Sequence, residues 1–165
     1  MEKAEVRTAM PEILTAFGKN NALLAVGDKS RRNIMTIGWC GLGRMWNLPS
    51  CTIYVRPERY TYSFLETHEY FTLSVLPAEY RGEMNFCGTK SGRDVDKFLA
   101  CGLTVQYGAA DAPFPAEAEW AIVCKKRYAQ DLGPGFVLDE KICGFYRDEG
   151  WHRMYIGEIT EAYKK

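Results

Sequence analysis

The sequence lacks most of the features from which a function is usually read. Its apolar runs fall short of the roughly 18 residues of a membrane span, and the polar start Met1-Glu2-Lys3-Ala4-Glu5 has no apolar core of a secretory signal. A cytoplasmic protein without a membrane partner is expected. A charge surplus is also missing: Lys and Arg number 21, Asp and Glu number 21, and the formal net charge is +0. Broad electrostatic binding to nucleic acid or anionic lipid is therefore not expected, although a local basic pocket is compatible with the balance. There is no Gly-x-x-x-x-Gly-Lys-Ser/Thr loop and no Gly-x-Gly-x-x-Gly turn, which removes the P-loop and the dinucleotide-binding α/β unit. Only His68 and His152 are available, without a Gly-x-Ser-x-Gly elbow, so a histidine-activated hydroxyl or thiol nucleophile has little support. His68 reads as a helix-end or exposed side chain. The six cysteines, at positions 40, 51, 87, 101, 124 and 143, include no Cys-x-x-Cys pair and have no histidine cluster nearby. No metal site is expected, and buried reduced thiols are the default.

What remains is an ordinary globular composition, 47% hydrophobic and 25% charged over 165 residues, long enough for one domain over residues 1–165 with a sufficient core of its own. Short β-prone runs cover Ala22 to Val26, Asn33 to Trp39, Cys51 to Val55, Tyr70 to Leu76, Trp120 to Tyr128 and Arg153 to Thr160. Around six such strands with few helices point to a barrel or sandwich rather than a doubly wound sheet. Helices are expected near Met10 to Phe17, from about Tyr62 to His68 and from about Arg93 to Cys101. Thr61 is placed to cap the second. Ser91 with Asp94 has the capping-box spacing for the third, whose apolar face would be Val95, Phe98 and Leu99, with Gly102 as its stop.

A helix N-terminus offers unpaired N–H groups and partial positive charge, and two such starts beside cations can share one phosphate. The stretch Gly88-Thr89-Lys90-Ser91-Gly92-Arg93, with Lys97 one turn on, has the glycines, hydroxyls and cations for this. On these residues alone a capped surface helix with solvated charges is the competing reading.

Four stretches occur in a fixed order: Asn33-Ile34-Met35-Thr36-Ile37-Gly38-Trp39, Arg56-Pro57-Glu58-Arg59-Tyr60-Thr61, Ser91-Gly92-Arg93-Asp94-Val95-Asp96-Lys97-Phe98, and His152-Arg153-Met154-Tyr155-Ile156-Gly157-Glu158-Ile159. Together they resemble the flavin reductase-like family of FMN-binding split β-barrels, especially its flavoredoxin-type members. The resemblance implies a mainly β fold, an FMN-binding split β-barrel of Greek-key type with a few short helices. It also implies a homodimer with FMN near the subunit interface, reduced by NADH or NADPH or by a redox partner protein. By position, Met35, Thr36 and Trp39 would lie along the isoalloxazine. Arg56, Arg59 and Thr61 would meet the ribityl phosphate from one side, and Ser91, Gly92, Arg93 and Lys97 from the other. His152 stands where relatives also carry histidine; it would either approach the flavin or nicotinamide or tie a loop to the interface.

Two places depart from the family pattern. Cys40 to Leu48 replaces a smoother Pro-containing run, leaving Trp46 to cover the ring or simply to pack, and Asp28 stands where a small residue is frequent. Tyr155, alternating with Met154 and Ile156, reads as packing rather than as a catalytic acid. The expected function is an NAD(P)H-dependent flavin reductase or flavoredoxin-type oxidoreductase, in which a bound flavin carries the electrons and no acid–base residue is obligatory. The alternative is a noncatalytic FMN-binding electron carrier or flavin module. A barrel related to pyridoxamine phosphate oxidases or haem-degrading proteins is a third possibility.

Overall fold

The run beginning at Ala22 is apolar without alternation, as a strand buried on both faces must be. In a computed structural model describing residues 1–19, 21–147 and 150–165, every residue of this strand, β2 (Ala22–Gly27), is buried. Ala22, Leu24 and Val26 enter one core cluster, while Leu23 and Ala25 enter a second. The first cluster is the barrel interior. It takes Cys51, Ile53 and Val55 from β5 (Leu48–Val55), Phe71 and Leu73 from β6 (Tyr70–Val75), Trp120, Ile122 and Cys124 from β9 (Trp120–Asp131), and Tyr155 and Ile159 from β10 (Arg153–Lys164).

Seven strands form one antiparallel path, β3-β2-β6-β9-β10-β5-β4, where β3 is Arg32–Ile37 and β4 is Cys40–Met45, while β7 (Val105–Tyr107) and β8 (Pro113–Pro115) pair with each other in a separate two-stranded sheet. The short β1 (Glu2–Ala4) adds to β10, which thereby has three partners. The chain leaves β2 and β3 through the β4–β5 hairpin and returns at β6 to pair with β2, a Greek-key return. The two ends of the path, β3 and β4, are joined by residues 38 and 39 alone, so they lie within a few residue lengths of each other. The sheet must curl to allow it, yet among the described residues no ladder joins them. This is a barrel with a split, and the mainly β fold expected from the sequence is the fold observed. Where β10 passes over the core its register shifts between Ile156 and Gly157, and a Cβ at Gly157 would stand 2.7 Å from the Phe71 ring. Tyr155 is fully buried, with its hydroxyl donating to Glu66.

The helices differ more from expectation. α1 (Val6–Lys19) and α2 (Tyr60–Thr67) are longer than or displaced from the expected segments, and His68 is the C-cap of α2, its N–H donating to the Phe64 carbonyl. α3 (Arg81–Thr89) has no counterpart in the expected elements. The segment expected to be helical from Arg93 to Cys101 forms only α4 (Lys97–Ala100), capped by Asp96, whose carboxylate accepts from the Leu99 N–H. Gly102 does end it, at φ +62, but Leu99 is exposed rather than part of an inward face. α5 (Glu140–Cys143) lies in the β9–β10 connection.

The turn from β2 to β3 answers the question posed by Asp28. Gly27 takes φ +135, and Asp28 Oδ1 accepts from Ser30 Oγ, Ser30 N and Arg31 N at 2.6, 2.7 and 2.9 Å. The Ser30 hydroxyl first, and the two N–H groups with it, hold the Asp28 carboxyl down to about 2. A depressed carboxylate pKa contributes stability above the ordinary value of 3.8, lost as the pH falls toward about 2. An NMR titration should place the Asp28 midpoint about two units below that of a free aspartate; an ordinary midpoint would contradict this turn. Asp28→Asn should lower stability at pH 7, by a margin that shrinks as acid protonates the native carboxylate.

Candidate functional site

A cleft of about 380 Å³ opens beside the split, and all eleven residues singled out from the sequence line it. Its floor is β3. Asn33, nearly buried, donates from Nδ2 to Thr61 Oγ1 at 2.7 Å, and Thr36 Oγ1 donates to the Met84 carbonyl at 2.5 Å. These bonds tie β3 to α2 on one side and to α3 on the other, leaving Met35, Thr36 and the link through Trp39 along the floor.

One wall is the corner at residues 56–61. Thr61, placed by sequence to cap this helix, does not do so: α2 begins at Tyr60, with Arg59 in the cap position and no side-chain cap bond. Thr61 sits inside the first turn, where its hydroxyl is taken by Asn33. The opposite wall is residues 88–97. The expected capping box of Ser91 with Asp94 is instead a turn: Asp94 N donates to the Ser91 carbonyl at 3.2 Å, and Ser91 Oγ accepts from Arg93 N at 3.2 Å. The reason is packing. Gly92 lies so close to β3 that a Cβ there would fall 1.9 Å from Asn33 Oδ1, and a chain drawn that tightly onto the strand does not start its helix until Lys97. Neither wall is therefore the hydroxyl-capped helix start expected from spacing.

The two walls are fastened together. The Arg93 guanidinium donates to the Glu58 carbonyl at 3.4 Å through both terminal nitrogens and lies 5.1 Å from the Tyr60 ring centre. Lys97 is only 4% exposed, and its Nζ donates to the Cys87 carbonyl at 2.9 Å. Burial lowers its pKa. Arg59 is exposed at the rim.

Arg56 points to the other end of the cleft. Its Nε donates to His152 Nε2 at 3.4 Å, its Nη2 donates to the Phe145 carbonyl at 2.9 Å, and it covers the Tyr146 ring. Because Nε–H can only donate, His152 Nε2 is the acceptor, and the ring proton sits on Nδ1, 3.3 Å from the Tyr146 hydroxyl. The Trp39 ring lies 4.8 Å from His152 and 5.7 Å from Phe145. His152 thus ties the loop before β10 to the Arg56 corner while lining the cleft. Trp46 does not line it; it is exposed at the tip of the β4–β5 hairpin with φ +51, its ring centre 6.2 Å from that of Tyr128.

Among the described residues, five cations, Arg56, Arg59, Lys90, Arg93 and Lys97, face this cleft against the single carboxylate of Glu58. A chain of zero net charge has concentrated positive potential in one place. The Glu58 carboxyl is held below its usual range by its own backbone N–H, the Gly150 N–H, Arg56 and Arg59, so it stays anionic without balancing the cations. Tyr60, whose hydroxyl accepts from Arg31, and Phe145 and Tyr146 also border the site, although none was a candidate from the sequence. Tyr60 falls within the quoted 56–61 stretch, which was the available signal; residues 145 and 146 had none.

The wall chemistry suits a molecule with a flat apolar part and an anionic end: Met35, Ile37 and Trp39 offer apolar surface, and the 56–61 and 88–97 walls offer cations and hydroxyls. Among the described residues no group of three or more His, Cys, Asp or Glu is placed to hold a metal ion, and no helix is long and apolar enough to cross a membrane.

Residues 14–165 match the Flavin reductase like domain. Among solved structures, flavoredoxin of Desulfovibrio vulgaris (Miyazaki F) aligns with a TM-score of 0.69 at 27% identity, over 88% of this chain and 69% of its own. An FMN-binding domain of a flavin reductases-like enzyme from Shewanella baltica gives 0.73 at 19% identity, over 99% and 76%. The NADH:FAD oxidoreductase of Streptomyces globisporus gives 0.67 at 18% identity, over 88% and 75%. No curated protein matches the chain.

Proposed function

Because the chain belongs to the Flavin reductase like domain family, we propose that residues 1–165 act as one FMN-binding unit, a cytoplasmic, homodimeric oxidoreductase of flavoredoxin type that takes electrons from NADH or NADPH. The observation that carries the reading is the convergence of eleven residues from four separated segments on one cleft. FMN, when bound, supplies the electron-carrying chemistry; the work of the chain is to hold and shield it. Met35, Thr36 and Trp39 offer the surface for the ring system. Arg59, Arg93 and Lys97, with Ser91, hold the phosphate end, where charge-assisted hydrogen bonds are the strong ones. Arg56 acts at one remove, keeping His152 and the Phe145 loop in place beside Trp39.

Freshly purified protein should show oxidised-flavin absorption bands, or acquire them on adding FMN. FMN at about 100 times its Kd should add roughly 2.7 kcal/mol to the unfolding free energy, seen as a concentration-dependent rise in Tm. A colourless preparation with no thermal shift at saturating FMN would remove the reading. NADH and NADPH oxidation, measured with and without added free flavin, separates the reductase from a carrier: bound FMN that neither nucleotide reduces would leave only electron carriage. Sedimentation should give twice the 18.8 kDa chain mass.

A further inference from the structure

Cys87 and Cys101 occupy a place the proposed chemistry does not use. Cys87 is buried on α3 and lines the cleft. Cys101 is partly exposed at the C-terminal cap of α4, and its Sγ lies 3.9 Å from that of Cys87. Both ends of the four-residue α4 are therefore attached to one residue, Lys97 through the Cys87 carbonyl and Cys101 through the Cys87 sulfur. The chain between the two sulfurs contains the whole 88–97 wall. The other close pair of thiols, Cys51 and Cys124, is sealed in the barrel interior with no exposed surface.

We propose that Cys87 and Cys101 form a reversible disulfide under hydrogen peroxide, and that the bridge loosens the hold of the cleft on the anionic end of its ligand. The partly exposed Cys101 sulfur attacks one peroxide oxygen; the O–O bond breaks, water leaves, and Cys101 becomes a sulfenic acid. The Cys87 sulfur then attacks the Cys101 sulfur, the S–O bond breaks, and the departing hydroxide takes the Cys87 proton as a second water. Two thiols are oxidised by two electrons, one peroxide is reduced to two waters, and a dithiol reductant reverses the result.

A disulfide needs its sulfurs about 2.05 Å apart, so closing the 3.9 Å gap draws the C-terminal end of α4 toward α3. Lys97 shares that single turn and is moved relative to the Cys87 carbonyl. Burial pushes the Cys87 thiol up to about 12 and the Cys101 thiol upward as well, so the pair is kept as thiols at neutral pH and bridge formation accelerates as the pH rises.

The ligand half of this inference rests on the FMN reading, and the experiment separates the two. The full-length protein is treated with hydrogen peroxide, and tandem mass spectrometry of alkylated, non-reduced digests is used to find the bridge; FMN and riboflavin affinities are measured before treatment, after it, and after dithiothreitol. The expected result is a Cys87–Cys101 bridge, an FMN Kd raised by about tenfold or more, and recovery on reduction. Cys101→Ser, with Cys101→Ala as a second form, should show no bridge at Cys87 and no response of FMN affinity to peroxide. Absence of the bridge, or an FMN affinity changed by less than about twofold once it has formed, would overturn the inference. Failure of the reduced protein to bind FMN sinks the functional reading and the ligand half together, whereas FMN binding without a bridge sinks the inference alone.

Discussion

Replacing Arg59 or Lys97 with alanine should weaken FMN binding by roughly 10- to 150-fold and leave riboflavin binding almost unchanged. Each change removes a charge-assisted hydrogen bond worth about 1.5–3 kcal/mol, at about 1.4 kcal/mol per decade of affinity. Riboflavin lacks the phosphate and is the internal control, since a general folding defect weakens both ligands. The structure separates the two substitutions in a way that charge alone does not. Arg59 is exposed, so its loss should leave stability nearly untouched. Lys97 is buried and supports the Cys87 carbonyl, so Lys97→Ala should also lower the unfolding free energy by about 1–3 kcal/mol, the cost of an unsatisfied buried acceptor. Lys97→Met keeps the apolar stem and isolates the loss of the ammonium. Because burial lowers the Lys97 pKa, FMN affinity in the unaltered protein should begin to fall on the alkaline side before an ordinary lysine titrates. Equal affinity for FMN and riboflavin in the unaltered protein would remove the phosphate site altogether.

The second large effect is expected at Gly92. An added methyl there would meet Asn33 Oδ1 at 1.9 Å, Asn33 Cγ at 2.8 Å and the Tyr60 ring at 3.0 Å. Asn33 has no room to give way without releasing Thr61, to which it is bonded at 2.7 Å. Gly92→Ala should therefore lift the 88–97 wall off β3. We expect a loss of about 1–3 kcal/mol in stability, the usual cost of overpacking, together with impaired binding of both flavins, unlike the phosphate-selective effect at Arg59. Gly82→Ala is the comparison: nothing stands within 4 Å of its Cβ on α3, and helix propensity makes it neutral or stabilising by up to about 1 kcal/mol. Denaturant midpoints that fall equally for both variants would show that the close approach at Gly92 is not what shapes the wall.

The strands were legible because burial on the two faces of β2 and the alternation in β5 leave a hydrophobic trace in the sequence. α3 left none: Gly82, Gly88 and Asn85 are poor helix formers, and the helix is held by Met84 and Cys87 packing into the second core cluster. β4 was hidden for a related reason, since Gly41, Gly43 and Arg44 give no alternation and the strand is specified by pairing with β5. That the candidate site residues would gather around one cleft was legible, but their local geometry was not. Spacing put hydroxyl caps at Thr61 and Ser91, whereas a contact over 28 residues between Asn33 and Thr61, and the proximity of Gly92 to the same asparagine, decided otherwise. Arg56 is the sharpest case: sequence order groups it with Arg59, yet its guanidinium turns to His152 and Phe145, groups about 90 positions away whose arrival cannot be read locally.

The three-partner position of β10 also bears on how the chain comes to be assembled. β10 lies between β9 and β5 and carries β1 beyond them, pairing Glu2 with Lys164, yet it follows all three partners in order of synthesis. Until the ribosome has released it, β4 and β5 can pair only with each other, β9 only with β6, and β1 with nothing, so two sheet fragments wait with open edges. Such edges are templates for pairing with other chains. The nascent chain therefore stays exposed to misassembly until β10 has emerged, and barrel closure becomes an event tied to that one strand rather than a gradual growth from the first.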